Sequence, residues 1–197
     1  MDKRITEHFM LREFFTRDPK IITPIQWMML NNLCGNILEV IRAFLRKKLN
    51  QPVTMKVTNG VRLPSDNNAL RKKGYNPSET TDHLFGNIVK LHANSKIKKY
   101  GKYYFYSVGA GDVVPSCGAH EAFYLMEPYF DRKAGIIRLP EFPEVKIGQM
   151  ILEKRTSYWL HISNPPELIY SDEMIAQFLN RSHFLVSENN GHQYRQA

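Results

Sequence analysis

The chain carries one long amphipathic pattern, and its fold has to cover the apolar side of that pattern. Thr23 and Pro24 indicate a helix start, because a hydroxyl caps the first turn and proline suits the first helical position. Apolar residues then recur at steps of three and four: Met29, Leu33, Ile37, Val40, Ile41 and Phe44. The last turns carry basic residues that suit the helix dipole: Arg42, Arg46, Lys47 and Lys48. The pattern predicts a long helix with one buried face.

Shorter segments have the alternating or aromatic patterns of strands. Val53, Met55 and Val57 alternate with polar residues, as expected for a half-buried strand that ends at the Asn59–Gly60 turn. The other predicted strands are a glycine-rich entry at 109–114, a segment at 158–163 ended by Pro165 and Pro166, and a hairpin over 97–108 with its tip at 100–102.

Helical composition returns twice after the first helix. Residues 119–127 predict a helix that stops before Pro128, and residues 171–179 predict a short one. The tail after Ser187 is polar, which predicts mobility. Helices and short strands are intermixed without strict β-α-β alternation, and no repeat or linker divides the chain. The sequence therefore predicts a single α+β domain over residues 1–197.

The composition is that of an ordinary globular protein. Hydrophobic residues make up 43% of the 197 positions and charged residues 23%, which excludes a largely disordered chain. No apolar run approaches the roughly 18–20 residues that span a bilayer, so we expect a soluble protein without a membrane span. The N-terminus leads into Glu7 and His8 rather than an apolar segment, so we expect synthesis in a cytoplasm without a signal peptide.

The net charge is basic. The chain has 27 Lys and Arg against 19 Asp and Glu, which gives a formal charge of +8 and a pI of about 9.4. This balance favours polyanionic partners such as nucleic acid or an anionic cell wall, and charge alone selects neither. Cys34 and Cys117 are too few for a disulfide scaffold or an all-cysteine metal site, and whether they pair stays open.

His83, Asp112 and His161 are the residues that a zinc site would use. Zinc hydrolases need three ligands from His, Asp, Glu or Cys and an open position for water, and the ligands can come from neighbouring strands. Each of the three lies beside a glycine, a small residue or a strand boundary, where a metal can approach. Each also has a plainer interpretation, as a surface histidine, a turn aspartate and a half-buried histidine.

Five segments occur in a characteristic order along nearly the whole chain. They are Glu7–Phe14, similar to HF-x-L-x-EF; Leu33–Arg42, similar to N-x-L-x-x-x-R; Thr58–Arg62, similar to T-S-G-Y-R-S; Asp82–Gly86, similar to S-x-H-x-x-G; and Trp159–Ser163, similar to W-[IV]-H-V-S. Together they resemble the M15 family of zinc peptidases, with the D-Ala-D-Ala carboxypeptidase-like fold, and especially its short phage-encoded branch. The resemblance implies a small antiparallel sheet flanked by helices, zinc ligation by His83 and His161, and a substrate carboxylate held by Arg62.

One departure from the family pattern concerns the second zinc ligand. The family has an aspartate in the motif H-x-x-G-x-A-x-D, and Lys90 stands at that position here. A charged lysine cannot bind zinc. We therefore expect a hairpin insertion over about 88–109, after which Ala110–Val113 resumes the A-x-D-[IV] part of the motif and makes Asp112 the ligand. Such an insertion disturbs little of the core, because the ends of a hairpin lie close together.

A second departure concerns the general base. The family has Asp or Glu three residues before the last histidine, and Tyr158 stands there. A tyrosine with a pKa near 10 is a poor base at neutral pH. Glu153, which is close in sequence, and Glu121, which follows Asp112, are the candidates to replace it.

Two further features have competing interpretations. Four lysines between residues 96 and 102 interleave with aromatic residues, a pattern that can bind single-stranded nucleic acid. The same pattern fits a hairpin with an aromatic core face and a lysine-rich edge, which we favour, so we expect no nucleic-acid partner. Arg62 is either the carboxylate clamp or a solvated surface charge.

The leading hypothesis is a phage-encoded zinc peptidase that cuts peptide stems or cross-links of bacterial peptidoglycan at the cell wall. The alternative is a catalytically impaired M15-like domain that serves as a structural or binding component of a virion or tail, with other virion proteins as partners. Tyr158 and Lys90 favour the alternative. The retained His83 and His161 favour the enzyme.

Overall fold

The computed structural model describes residues 3–15, 22–62, 64–73, 82–85, 88–90, 104–169, 183–188 and 193–197. Within them the α-helices are α1 (Pro24–Asn31), α2 (Glu39–Leu49), α3 (Pro64–Lys72) and α4 (Ala119–Met126). The strands are β1 (Met55–Asn59), β2 (Ile88–Lys90), β3 (Tyr104–Tyr106), β4 (Ala110–Pro115), β5 (Phe130–Asp131), β6 (Ile136–Ile137), β7 (Val145–Lys146), β8 (Met150–Lys154), β9 (Tyr158–Ser163), β10 (Phe184–Ser187) and β11 (Arg195–Gln196). The predicted α+β class is confirmed.

The predicted long helix runs without a break from Pro24 to Leu49. Thr23 caps it as expected, because its hydroxyl accepts a hydrogen bond from the Gln26 amide at 3.3 Å. The Gln26 side chain in turn accepts one from the Thr23 amide at 3.1 Å, which completes a capping box. The helix ends at Asn50, whose left-handed backbone (φ 51°) stops the hydrogen-bond pattern.

A π-helical segment, Asn32–Leu38, lies in the middle of this helix between α1 and α2. The Glu39 amide donates to the Cys34 carbonyl five residues earlier instead of four. The apolar periodicity predicts the helix but not this change of hydrogen bonding. Cys34 is buried in the core and Cys117 is half-buried, and both are free thiols.

Six strands form the main sheet, in the order β1-β4-β9-β8-β10-β11. Every neighbouring pair is antiparallel except β8 and β10, which are parallel. The expectation of an antiparallel sheet is therefore wrong in one place. The connection after β9 skips over β8, so β10 enters on the far side of β8 and runs in the same direction. The sheet is mixed.

The two faces of this sheet differ in character because successive side chains of a strand point to opposite sides. One face, the core face, carries apolar residues that pack with the long helix and α4, among them Val113, Leu152, Leu160, Ile162 and Phe184. The other face, the polar face, carries Asn59, Asp112, His161 and Glu153. All the predicted functional residues that belong to the sheet, except Tyr158, lie on the polar face.

The remaining predicted elements differ in how they are placed. The predicted helix at 119–127 is α4, and Pro128 lies in the 3-10 turn that follows it. Strands β2 and β3 pair antiparallel, Ile88 opposite Tyr106, within the range of the expected insertion. The segment that pairs with β3 is thus 88–90, whereas the first strand and the tip of the hairpin predicted over 97–108 lie outside the described residues, as does the predicted helix at 171–179.

The tail after Ser187, for which we predict mobility, ends in the short strand β11 on the edge of the main sheet. Residues 189–192 lie outside the described part of the chain. No helix among the described residues is both long and apolar enough to cross a membrane.

Candidate metal centre

Three side chains bring one donor atom each to a common point. His83 Nε2 lies 3.1 Å from Asp112 Oδ1 and 3.2 Å from His161 Nδ1, and His161 Nδ1 lies 3.0 Å from Asp112 Oδ1. All three residues are at most 8% exposed. These are the three predicted ligands, and they form a group that could hold a metal ion.

Two of the donors are fixed by strand pairing. Asp112 on β4 and His161 on β9 are direct partners across an antiparallel ladder, so their side chains leave the same face side by side. His83 comes from the 3-10 turn Asp82–Leu84, which packs against β4. The Arg62 amide donates to the His83 carbonyl at 2.8 Å, which ties this turn to the segment after β1.

A backbone hydrogen bond sets the orientation of His83. Its Nδ1 donates to the Gly60 carbonyl at 2.8 Å, so Nε2 keeps its lone pair for a ligand. Gly60 has no space for a side chain, since a Cβ there would lie 2.5 Å from the Phe14 carbonyl oxygen. The Val61 amide donates to that same Phe14 oxygen at 2.6 Å. The N-terminal segment thereby holds the carbonyl that orients His83.

Asp112 divides its two oxygens between separate tasks. Oδ1 faces the histidines, whereas Oδ2 accepts from Asn59 Nδ2 at 3.1 Å and from Arg62 Nη2 at 3.4 Å. Asn59 is the cross-strand partner of Asp112, so the register of β1 and β4 creates this contact. The arrangement leaves Oδ1 available as a single-oxygen ligand.

The electrostatics of the three residues follow from their mutual contacts. Burial opposes the charged form of Asp112, but the neighbouring His83 and His161 hold its pKa well below its usual range. Burial also opposes a charged His161, yet its hydrogen bond to Asp112 raises its pKa. For His83 burial prevails over the attraction of Asp112 and lowers the pKa. Asp112 is therefore anionic, and His83 is neutral, at physiological pH.

Arg62 lies beside this group and keeps one unused donor. Its side chain is 14% exposed, and its Nε is buried without a hydrogen-bond partner among the described residues. A buried donor of this kind is costly unless something binds it. Burial lowers the pKa of Arg62 and the Asp112 charge opposes that shift, so the guanidinium remains protonated. Arg62 can bind an anionic group next to the three donors.

Glu153 is the predicted replacement base that the structure places near the three donors. It lies on β8 opposite Trp159, two residues beyond Ile151, which is the cross-strand partner of His161. It therefore shares the polar face with His161. Burial raises the pKa of Glu153 to about 7; the Asp112 charge adds to this shift, and His161 and Arg62 oppose it. A half-buried carboxyl with this pKa is suited to exchange protons near neutral pH.

Tyr158 and Glu121 lie elsewhere. Tyr158 is three residues from His161 on the same strand, so it points to the core face, where its ring lies 5.0 Å from that of His120. Its hydroxyl donates to Glu188 at 3.4 Å. Glu121 is exposed on α4, the helix packed against the core face. Of the three candidate bases, the structure brings only Glu153 to the polar face.

Sequence reasoning missed the contribution of Asn59 and of Gly60. Both belong to the segment Thr58–Arg62, in which the resemblance gives a role to Arg62 alone. The alternating pattern before the Asn59–Gly60 turn indicates that Asn59 lies at the end of a strand, and this is the signal that could have pointed to it. Comparisons with known proteins add no assignment, since no family model, no curated protein and no solved structure matches this chain.

Proposed function

We propose that the protein is a zinc-dependent peptidase that acts on the peptide stems or cross-links of bacterial peptidoglycan and is encoded by a phage. The convergence of His83, Asp112 and His161 beside Arg62 and Glu153 is the observation that carries the proposal. The substrate class and the phage origin rest on the resemblance to the M15 family. Action at the bacterial cell wall follows from the same resemblance.

The donor set supports zinc as the metal. Ligands about 2.0–2.1 Å from a tetrahedral zinc ion lie roughly 3.3 Å apart. The three donor atoms are 3.0–3.2 Å apart, so an ion fits with a shift of a few tenths of an ångström. Two imidazole nitrogens and one carboxylate oxygen leave a fourth position open, as catalytic zinc sites do. His83, Asp112 and His161 would hold the ion, and zinc held there would supply water activation and carbonyl polarisation.

The residues around the donors supply the rest of a peptidase. Glu153 accepts a proton from the attacking water at its carboxylate and passes it to the leaving amine. Arg62 orients the substrate by binding a carboxylate with its guanidinium, whose Nε has no partner among the described residues. Asn59 and Arg62 together keep Asp112 in its single-oxygen orientation.

The alternative is an impaired domain that assembles with other virion proteins. Lys90 and Tyr158 are the residues that favour it. Two observations weigh against it. Asp112 supplies a carboxylate oxygen beside His83 and His161, although Lys90 replaces the aspartate of the family motif in the sequence. Glu153 supplies a carboxyl group on the polar face, although Tyr158 replaces the acidic residue of that motif. We therefore favour the enzyme.

Zinc content and wall cleavage test the proposal together. We expect about one zinc per chain by elemental mass spectrometry of the purified protein, and release of soluble peptides from purified peptidoglycan. His161→Ala removes one ligand and should lose both. His120→Ala is the matched control, since His120 is exposed on α4 and contacts the rings of Tyr124 and Tyr158. It should keep both.

The outcomes separate the hypotheses. Protein that takes up zinc but releases no peptide supports the impaired domain. Protein that binds no zinc even when zinc is supplied contradicts both the metal assignment and the peptidase.

A further inference from the structure

The last strand continues the polar face beyond Glu153. Strand β11 pairs with β10, with Gln196 opposite Leu185 and Arg195 opposite Val186. Tyr194 directly precedes β11, and continuing this antiparallel register by one step would align it with Ser187. Ser187 is in turn the partner of Glu153 on β8. The extended register therefore puts Tyr194 in line with Ser187 on β10 and Glu153 on β8.

Tyr194 points to the polar face. Leu185, the partner of Gln196, pairs with Ile151, and Ile151 pairs with His161. Directly paired residues share a face, so Gln196 is on the polar face, and so is Tyr194, two residues earlier. Arg195, with the opposite orientation, has its guanidinium 3.5 Å from the Tyr124 hydroxyl of α4 on the core side. The two side chains therefore leave β11 in opposite directions.

The phenol of Tyr194 is available to a ligand. The residue is 48% exposed, and its hydroxyl makes no hydrogen bond with any other described residue. Burial and the charges of Glu153 and Asp112 raise the pKa of Tyr194 to about 12. The phenol is therefore protonated and can donate a hydrogen bond. That both carboxylates act on it agrees with the extended register.

Arg62 and Tyr194 lie on opposite sides of the three donors. Arg62 follows β1, at one edge of the sheet, and Tyr194 precedes β11 at the other edge. The donors on β4 and β9 lie between them. A peptide whose terminal carboxylate binds Arg62, and whose scissile bond lies at the donors, directs its acyl portion towards Glu153 and Tyr194.

We propose that Tyr194 is a substrate-binding residue that donates a hydrogen bond to the acyl portion of the peptide, so that β11 forms the wall of the site that selects longer stems over short ones. The inference deepens the proposed function and rests on it for the peptide nature of the ligand. It assigns a specificity role to the tail of the chain.

The test measures how two peptide ligands bind when the hydroxyl of Tyr194, or that of a control tyrosine, is removed. The ligands are a synthetic stem pentapeptide and its C-terminal dipeptide. Affinity is measured by calorimetry on zinc-loaded Glu153→Gln protein, in which turnover is blocked, with and without Tyr194→Phe. Turnover is measured separately with Glu153 present. Tyr129→Phe is the control, since Tyr129 packs on Phe44 in the core and precedes β5 rather than β11.

We expect Tyr194→Phe to weaken pentapeptide binding about 3- to 10-fold, the effect of one hydrogen bond, and to change dipeptide binding less than 2-fold. The kcat/KM ratio of pentapeptide to dipeptide should fall by the same factor, and zinc content should not change. Tyr129→Phe should leave both affinities as they are.

The result separates this inference from the proposed function. Three outcomes overturn the role of Tyr194. The pentapeptide affinity is the same with and without the Tyr194 hydroxyl, or Tyr194→Phe weakens the binding of both ligands equally, or the Glu153→Gln protein that keeps Tyr194 does not bind the pentapeptide. Length-dependent binding without turnover by the protein that has Glu153 supports Tyr194 and contradicts the peptidase.

Discussion

Glu153 is a carboxyl group that burial leaves partly protonated in the absence of metal, with a pKa of about 7. The neighbouring charges shift this pKa in opposite directions. Asp112 favours the protonated form of Glu153, and His161 and Arg62 favour its carboxylate form. A divalent cation between Asp112 and His161 would add positive charge and lower this raised pKa of Glu153. The metal would therefore convert Glu153 from a half-protonated acid into a base.

Glu153→Gln tests this assignment. The amide cannot take a proton, so we expect kcat to fall about 10²- to 10⁴-fold with zinc content unchanged. In the parent protein kcat/KM should decline as pH falls through the pKa of Glu153, because the protonated carboxyl cannot act as base, and this decline should lie below about pH 7. Measured pH profiles check both points. Glu121→Gln, on exposed α4, should keep the parent profile.

At the residue scale the sequence predicted the donors better than the base. His83, Asp112 and His161 follow from motif order, including Asp112 after the expected insertion, and the structure brings them together. Tyr158 holds the family's base position in sequence, yet an odd spacing of three residues along a strand puts it on the face opposite His161. Glu153 reaches that face through cross-strand pairing, which one sequence does not reveal.

At the scale of elements, hydrogen bonds of the Asn164 side chain connect the long helix to the sheet. It follows β9, is fully buried, and donates from Nδ2 to the Met29 carbonyl at 3.0 Å and the Val108 carbonyl at 2.8 Å. Its Oδ1 accepts from Asn32, in the π-helical segment, at 3.0 Å. One amide thus joins the helix, the start of β4 and the end of β9.

Asn164→Ala should destabilise the fold. The change removes two buried hydrogen bonds and one part-buried hydrogen bond and leaves their partners short of a bond, so we expect a loss of about 2–3 kcal/mol in the free energy of unfolding. Urea unfolding followed by circular dichroism measures it. Asn36→Ala is the control, since Asn36 is exposed and its side chain donates an exposed hydrogen bond to the Asn32 side chain, and the change should cost less than about 0.5 kcal/mol. Equal losses in the two variants would contradict the role of Asn164.

Periodicity predicted the elements themselves and not how they connect. The apolar stripe predicts the helix from Pro24 onward because its spacing repeats, but steps of three and four residues also fit an α-helix and do not by themselves predict the π-helical segment. The parallel pairing of β10 with β8 depends on a connection that skips a strand. The pattern of apolar residues within a strand carries no information about that choice.

At the scale of the whole molecule, the three donors join distant parts of the chain. His83 precedes Asp112 by 29 residues, and Asp112 precedes His161 by 49. They come from a loop and two strands that the core holds in place from the other side of the sheet. A bound metal would therefore link three segments that are far apart in the sequence.

Metal removal should lower thermal stability. A ligand present at 100 times its dissociation constant stabilises the native state by about 2.7 kcal/mol. In a domain of this size that corresponds to a rise in Tm of about 5–10 °C. Differential scanning calorimetry before and after chelation, and again after zinc is restored, measures the shift. His161→Ala should show no shift on adding zinc, and a shift of parent size in this variant would place the metal elsewhere.

The pairing of Asp112 with His161 has a consequence for preparing the protein. If β4 slipped by one residue against β9, the carboxylate and the imidazole would leave opposite sides of the sheet and no ion could bridge them. Only correctly paired molecules would then retain metal through gel filtration. The zinc-to-protein ratio of a purified batch would serve as a count of molecules in the native strand alignment, even before any substrate is known.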